Sequence, residues 1–97
     1  WGAALLIDLH SMPPLRAGEG EARAPVVVLG DRFGASCHNT LVARGLTYLD
    51  ARGVPAALNR PYSGGYVLDR HGAPRGGIHA VQVEVCRATY LDRHLAE

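Results

Sequence analysis

The sequence has 97 residues, 47% hydrophobic and 20% charged, which suits one globular domain and excludes a disordered chain. Ten basic and nine acidic residues are spread without a basic run, so we expect no nucleic-acid partner. The longest apolar run, Ala3–Ile7, is too short to cross a membrane. Cys37 and Cys86 lie in no metal-ligand or disulfide spacing, which favours a reducing compartment. These features predict a soluble, cytoplasmic protein with no membrane partner.

Four apolar runs bounded by proline, glycine or polar residues predict strands. In chain order they are Ala3–His10, Val26–Leu29, Val54–Asn59 and His79–Cys86. The first run is apolar at nearly every position, which is typical of a buried parallel strand. Pro13 and Pro14 end it because proline cannot donate to a strand ladder.

Two helices and one long loop are predicted around these strands. Ser36 would cap a helix from about Cys37 to Ala51, and Arg87–Leu95 would begin a second helix. The apolar stripe of the first helix would comprise Leu41, Leu46, Tyr48 and Leu49. The segment Arg60–Gly76 is rich in glycine, proline and tyrosine, and loops of this length are usually functional or disordered.

This order of elements predicts an α/β fold with a mixed, mostly parallel sheet flanked by helices. Four strands and two helices bury only part of such a sheet, so we expect further elements to complete it. The sequence also enters an apolar strand almost at once and ends in a helix without a cap. Both features favour the interpretation that the chain is part of a larger domain.

One acidic residue of the fourth strand is unusual. The valines of this strand alternate with Gln82 and Glu84, so the valines would line one face and the two polar side chains the other. Glutamate is depleted from strands and is rarely buried without a partner. Glu84 therefore either lies on a solvated face, pairs with Arg87, or has a chemical function.

Asp8 and His10 share a face at the carboxyl end of the first strand, where open α/β sheets bind ligands. The two residues suit a metal ligand with its orienting carboxylate, or a general base with its partner. They also suit a hydrogen-bonded structural pair. A zinc site needs about three protein ligands, and the sequence has no second cluster with that spacing. The residues alone leave these alternatives open.

The segment Arg60–Tyr66 combines a cation, two phenols and two glycines. It suits a mobile loop that closes over a small anionic substrate, with Arg60 or Arg32 binding a carboxylate and a tyrosine hydroxyl assisting. The same residues also fit an ordinary turn with aromatic packing.

Four segments together resemble the N-formylglutamate amidohydrolase family, also called N-formylglutamate deformylases. They are the residues Asp8–Pro13, Leu29–Cys37, Asn59–Tyr66 and Gly77–Glu84. One such segment would be a weak signal, whereas four in the family's order across nearly the whole chain are fairly specific.

The resemblance implies a zinc-dependent amidohydrolase with a fold related to the zinc carboxypeptidases. Its substrate would be N-formyl-L-glutamate or a similar N-acyl amino acid, cleaved to formate and the amino acid. His10 would be a metal ligand oriented by Asp8, and Glu84 would be the catalytic carboxylate. The candidates for substrate binding are Arg60, Arg32, Tyr62 and Tyr66.

In that family the other zinc ligands, a histidine and an acidic residue, lie in an N-terminal segment that this sequence does not contain. Residues 1–97 are therefore expected to form the C-terminal part of a single α/β amidohydrolase domain, and to be inactive alone. The expected partners are a small N-formyl amino acid and that N-terminal segment. The alternative is a non-catalytic fragment or interaction module without a complete metal site.

Overall fold

The structure is a computed structural model that describes residues 2–18, 20 and 23–89. These residues form strands β1 (Ala4–Met12), β2 (Val27–Gly30), β3 (Ala56–Leu58) and β4 (Ile78–Cys86), and helices α1 (Asn39–Ala51) and α2 (Tyr66–His71). Short 3-10 turns, Pro74–Gly76 and Arg87–Thr89, flank β4. Neither helix in this part of the chain is long and apolar enough to span a membrane.

The strands form one mixed sheet in the order β1-β4-β2-β3. β1 pairs with β4 in parallel and β2 pairs with β3 in parallel, whereas β2 and β4 are antiparallel. The predicted mixed, mostly parallel α/β sheet is therefore confirmed. Because β4 lies between β1 and β2, side chains from all three strands meet along it.

The two faces of the sheet carry different side chains. Helix α1 packs on the face lined by the β4 valines, where the buried cluster comprises Leu29, Cys37, Val42 and Val81. A second cluster, formed by Met12, Val28 and Cys86, lies on the opposite face. Gln82 and Glu84 point to this opposite face, as the alternation of β4 predicts.

The predicted start of α1 is wrong. The helix begins at Asn39, and its N-cap is His38, whose Nδ1 accepts a hydrogen bond from the Thr40 N–H at 3.1 Å. Ser36 does not cap it, because its hydroxyl donates to the Ala80 carbonyl at 2.8 Å and ties the preceding loop to β4.

The apolar stripe of α1 is only partly as predicted. Leu46 and Leu49 pack against the buried cluster that contains Val42. Leu41 and Tyr48 are exposed instead, and the guanidinium carbon of Arg52 lies 3.6 Å from the centre of the Tyr48 ring. This tyrosine is therefore accommodated at the surface by a cation–π contact.

The long loop and the second helix predicted from the sequence also differ from the structure. The segment Arg60–Gly76 contains α2, which the pattern missed because the helix has six residues and only Leu68 among them is buried. A helix this short is stabilised by tertiary packing rather than by its own propensity. The predicted helix Arg87–Leu95 begins as the 3-10 turn Arg87–Thr89, and its remainder lies outside the described residues.

Strand β1 is parallel, as predicted, but it is not buried. It lies at the edge of the sheet, and the side chains of Leu5, Ile7 and Leu9 are 51%, 56% and 70% exposed. Apolar patches of this kind mark interaction surfaces. The apolar run correctly predicts a strand, whereas its burial requires contacts that the described residues do not supply.

Candidate active site

Four polar side chains meet on the sheet face opposite α1. The pairing of β1 with β4 places Asp8 beside Gln82 and His10 beside Glu84. Residues two apart on a strand project to the same face, so these side chains form a square across two neighbouring strands. The fold thereby brings together His10 and Glu84, which the sequence places in distant segments.

Within this square, each strand orients its own functional side chain. On β1, Nε2 of His10 lies 3.0 Å from Oδ2 of Asp8. On β4, Nε2 of Gln82 donates to Oε2 of Glu84 at 2.8 Å. Asp8 thus lies where the sequence interpretation puts an orienting carboxylate. No functional role was predicted for Gln82. The signal in the sequence that could have indicated one was its spacing of two residues from Glu84, which puts both side chains on one face of the strand.

His10 and Glu84 lie in different environments. Glu84 is 6% exposed, whereas the side chain of His10 is 46% exposed. Burial raises the pKa of the Glu84 carboxyl, the charge of His10 opposes that rise, and the charge of Asp8 adds to it. The pKa of His10 is raised by its hydrogen bond to Asp8, against a lowering effect of burial, and the charges of Asp8 and Glu84 raise it further. The result is a buried carboxyl with increased basicity beside an accessible imidazole.

Arg32 holds a turn of the protein itself. Its Nη1 donates to Oγ of Ser63 at 3.1 Å and to the Gly64 carbonyl at 3.0 Å, while its Nε donates to Oδ1 of Asp69 at 2.9 Å. The guanidinium therefore links the turn at Ser63–Gly64 to α2. This placement gives Arg32 a structural task in addition to the substrate contact predicted for it.

The turn at Ser63–Gly64 lies directly against the sheet beside Gln82. Gly30 pairs with Gln82 across β2 and β4. A Cβ at Gly30 would lie 2.7 Å from the carbonyl carbon of Ser63 and 2.9 Å from the nitrogen of Gly64, closer than real contacts allow. Glycine at this position therefore permits the turn to pack against the sheet next to Gln82.

Two buried side chains fix the loops that carry Arg32 and Arg60. Asn59, with a left-handed φ of 64°, accepts hydrogen bonds from the N–H groups of Asp31 and Phe33 at 3.0 and 3.3 Å. Its amide donates to Oδ1 of Asp31 at 2.7 Å. Neither residue was predicted to be functional, because the partners of each lie in a distant loop.

The other predicted substrate-binding residues lie in separate environments. Tyr62 packs against the second cluster, on the face of the sheet that carries Glu84. The guanidinium carbon of Arg60 lies 5.4 Å from the centre of the Phe33 ring, and Arg60 lines a cavity of about 640 Å³ together with Arg16. Tyr66 begins α2 and is 76% exposed. The fold thus places Tyr62 on the sheet face that carries Glu84 and leaves Tyr66 at the surface.

A complete metal site is not formed by the part of the chain that the structure describes. Within it, no three His, Cys, Asp or Glu side chains are grouped so that they could hold a metal ion. His10 and Asp8 fit one metal ligand and its orienting carboxylate, whereas a zinc site needs about three protein ligands.

Comparison with known proteins decides the family. A model of the N-formylglutamate amidohydrolase family matches residues 1–91. The chain belongs to this family. It is 37% identical over 93 residues to the N-formylglutamate deformylase of Pseudomonas aeruginosa, and 35% identical over 94 residues to that of Pseudomonas putida. Each alignment covers 95% of the chain and 35% of the relative.

The fold of this amidohydrolase-family chain agrees with a solved structure. It matches the crystal structure of N-formylglutamate amidohydrolase from Ralstonia eutropha JMP134 with a TM-score of 0.83 and 30% identity. The match covers 95% of this chain and 34% of the other. The resemblance inferred from the four segments is confirmed, and the chain spans about a third of the length of the relatives it matches.

Proposed function

We propose that this chain supplies part of the active site of a hydrolase that cleaves the formyl amide of N-formyl-L-glutamate, or of a similar N-acyl amino acid. The products are formate and the amino acid. The observation that carries the proposal is the pairing of buried Glu84 with accessible His10 on adjacent strands. Membership of the family and the names of the relatives support the substrate class.

Glu84 is the proposed general base. One carboxylate oxygen, Oε2, is engaged by Gln82, which leaves Oε1 to accept a proton from the attacking water. The same carboxyl then delivers that proton to the leaving amine. Burial raises the pKa of Glu84 and so makes its carboxylate a better proton acceptor.

His10 is the proposed zinc ligand of this chain. Because its Nε2 is bound to Asp8, its Nδ1 is the nitrogen offered to a metal, an arrangement common among metal-binding histidines. Zinc, when bound, would act as a Lewis acid and lower the pKa of a bound water to about 7. We place the remaining ligands outside the described residues, in an N-terminal segment of the intact enzyme, so the chain alone is inactive under this proposal.

Arg60 is the proposed partner of a substrate carboxylate. The cavity that it lines also contacts Leu15 and Ala57, which pack on the second cluster. Val28 of that cluster is the β2 partner of Glu84. These contacts support our assignment of Arg60 to the face that carries Glu84. Tyr62 packs on the same cluster, whereas Arg32 contributes by holding the turn at Ser63–Gly64.

Substitution of Glu84 in the intact enzyme tests the proposal. Glu84→Gln keeps the size of the side chain and removes the base, so kcat for formate release should fall about 100- to 10,000-fold. Zinc content, measured by atomic absorption, should stay unchanged. Asp50→Asn, which alters an exposed carboxylate on α1, is the matched control. Wild-type turnover by Glu84→Gln would contradict the assignment.

The second candidate function is a non-catalytic interaction module. It is favoured by the absence of a three-ligand group among residues 2–18, 20 and 23–89. If it is correct, the intact protein releases no formate from a panel of N-formyl amino acids even when supplied with zinc. Stoichiometric zinc on the isolated 97-residue chain would instead contradict the incomplete-site interpretation.

A further inference from the structure

We propose that Gln82 is a positioning residue, which holds the Glu84 carboxylate so that one defined oxygen faces the reacting water. This inference rests on the general-base role proposed for Glu84 and adds a residue through which that role is exerted. Gln82 acts through Glu84 and needs no contact with the substrate.

The geometry of the contact defines its direction. Both side chains are buried, with Gln82 8% and Glu84 6% exposed, and the bond between them is 2.8 Å long. An ionised carboxylate can only accept hydrogen bonds, so the amide must present its Nε2 to Glu84. Hydrogen bonds to charged groups in a buried site are stronger than those in water.

The surroundings of Gln82 restrict its movement. In the sheet it lies between Asp8 on β1 and Gly30 on β2. The turn at Ser63–Gly64 covers Gly30, so this turn and Asp8 flank the Gln82 side chain. A glutamine confined in this way is a fixed donor rather than a mobile one.

The bond has a specific consequence for the base. With Oε2 occupied, Oε1 is the oxygen left to accept a proton. Loss of the Gln82 amide would let the Glu84 carboxylate rotate. The orientation that directs Oε1 to the reacting water would then be only one of several. Substrate binding does not use this bond, so its loss should lower kcat with little change in KM.

Two substitutions in the intact enzyme separate positioning from packing. Gln82→Met keeps the length of the side chain and removes the amide donor, and kcat should fall about 10- to 100-fold. Gln82→Glu keeps the shape but places a second carboxylate beside Glu84 and Asp8, so its kcat should fall further. KM should stay within about twofold of wild type in both variants. Zinc content and circular dichroism check that each variant is folded.

The outcomes distinguish this inference from the proposed function. If Glu84→Gln is inactive while folded Gln82→Met and Gln82→Glu turn over like wild type, the positioning role is overturned and the function of Glu84 stands. A rise in KM at unchanged kcat would also overturn it, because it would place Gln82 in substrate binding. Wild-type turnover by Glu84→Gln would overturn both.

Discussion

At the scale of single residues, the candidate site is built from pairs of side chains two positions apart on one strand. Oδ2 of Asp8 lies 3.0 Å from Nε2 of His10, and Gln82 donates a hydrogen bond to Glu84. In the first pair a carboxylate acceptor lies beside an imidazole, and in the second an amide donor lies beside a carboxylate. Each pair therefore leaves one atom of the functional group without a contact to its orienting side chain: Nδ1 of His10 and Oε1 of Glu84.

The first residue-scale prediction concerns Asp8. Asp8→Ala removes the acceptor that holds His10, so the zinc affinity of the intact enzyme should fall about 10- to 100-fold. Competition with a chelator of known affinity measures the change. Asp50→Ala removes an exposed carboxylate of α1 and should leave the affinity unchanged. Equal zinc affinities for Asp8→Ala and wild type would show that Asp8 does not orient a ligand.

The second residue-scale prediction concerns Asn59, which has a left-handed backbone and accepts hydrogen bonds from two N–H groups. Asn59→Gly tolerates the positive φ but loses these bonds, so the free energy of unfolding should drop by about 1–3 kcal/mol. Asn59→Ala adds backbone strain and should lose about 1 kcal/mol more. Chemical denaturation of the enzyme measures both values. A glycine variant as stable as wild type would mean that these bonds contribute nothing.

At the scale of elements, β4 connects the core and the site. Its valines pack towards α1, and its polar residues lie beside β1 and β2 on the opposite face. A shift of one residue in its register would exchange the two faces and bury the wrong side chains. The hydrophobic core under α1 thus helps to fix the position of Glu84.

The prediction at this scale concerns the contact between β2 and the turn at Ser63–Gly64. Gly30→Ala introduces a Cβ 2.7 Å from backbone that cannot easily move, so the free energy of unfolding should fall by about 1–3 kcal/mol. At Gly76 an added Cβ meets no atom within 4 Å, so Gly76→Ala is the matched control and should change stability by less than about 0.5 kcal/mol. Denaturant unfolding compares the two, and equal stabilities would contradict the close contact.

At the scale of the whole molecule, strand β1 is left largely uncovered by the described residues. Leu5, Ile7 and Leu9 share a face of β1 and are all more than half exposed. The edge of β1 away from β4 has no strand partner among the described residues. Unpaired, apolar edge strands promote association between chains.

We therefore expect the isolated 97-residue chain to self-associate. Sedimentation velocity over a range of concentrations should show species larger than the monomer. Leu9→Lys places a charge at the most exposed of these positions and should shift the distribution towards the monomer. Leu41→Lys, at an exposed position of α1, should not. A wild-type chain that stays monomeric at high concentration would contradict this prediction.

The sequence by itself determined the four strands, the presence of α1, the faces of β4 and the family. Alternating valines separate Gln82 and Glu84 from the core, and this pattern depends only on the strand period. The family follows from four local segments in order. Such features could be predicted because each depends only on residues that are close together in the sequence.

The tertiary structure alone decided which residues meet. It paired His10 with Glu84, directed Gln82 to that carboxylate, and used Arg32 to hold the turn at Ser63–Gly64. It also made His38, rather than Ser36, the cap of α1, because Ser36 is bonded to β4. These outcomes depend on strand register and on contacts between distant segments, which no local pattern specifies.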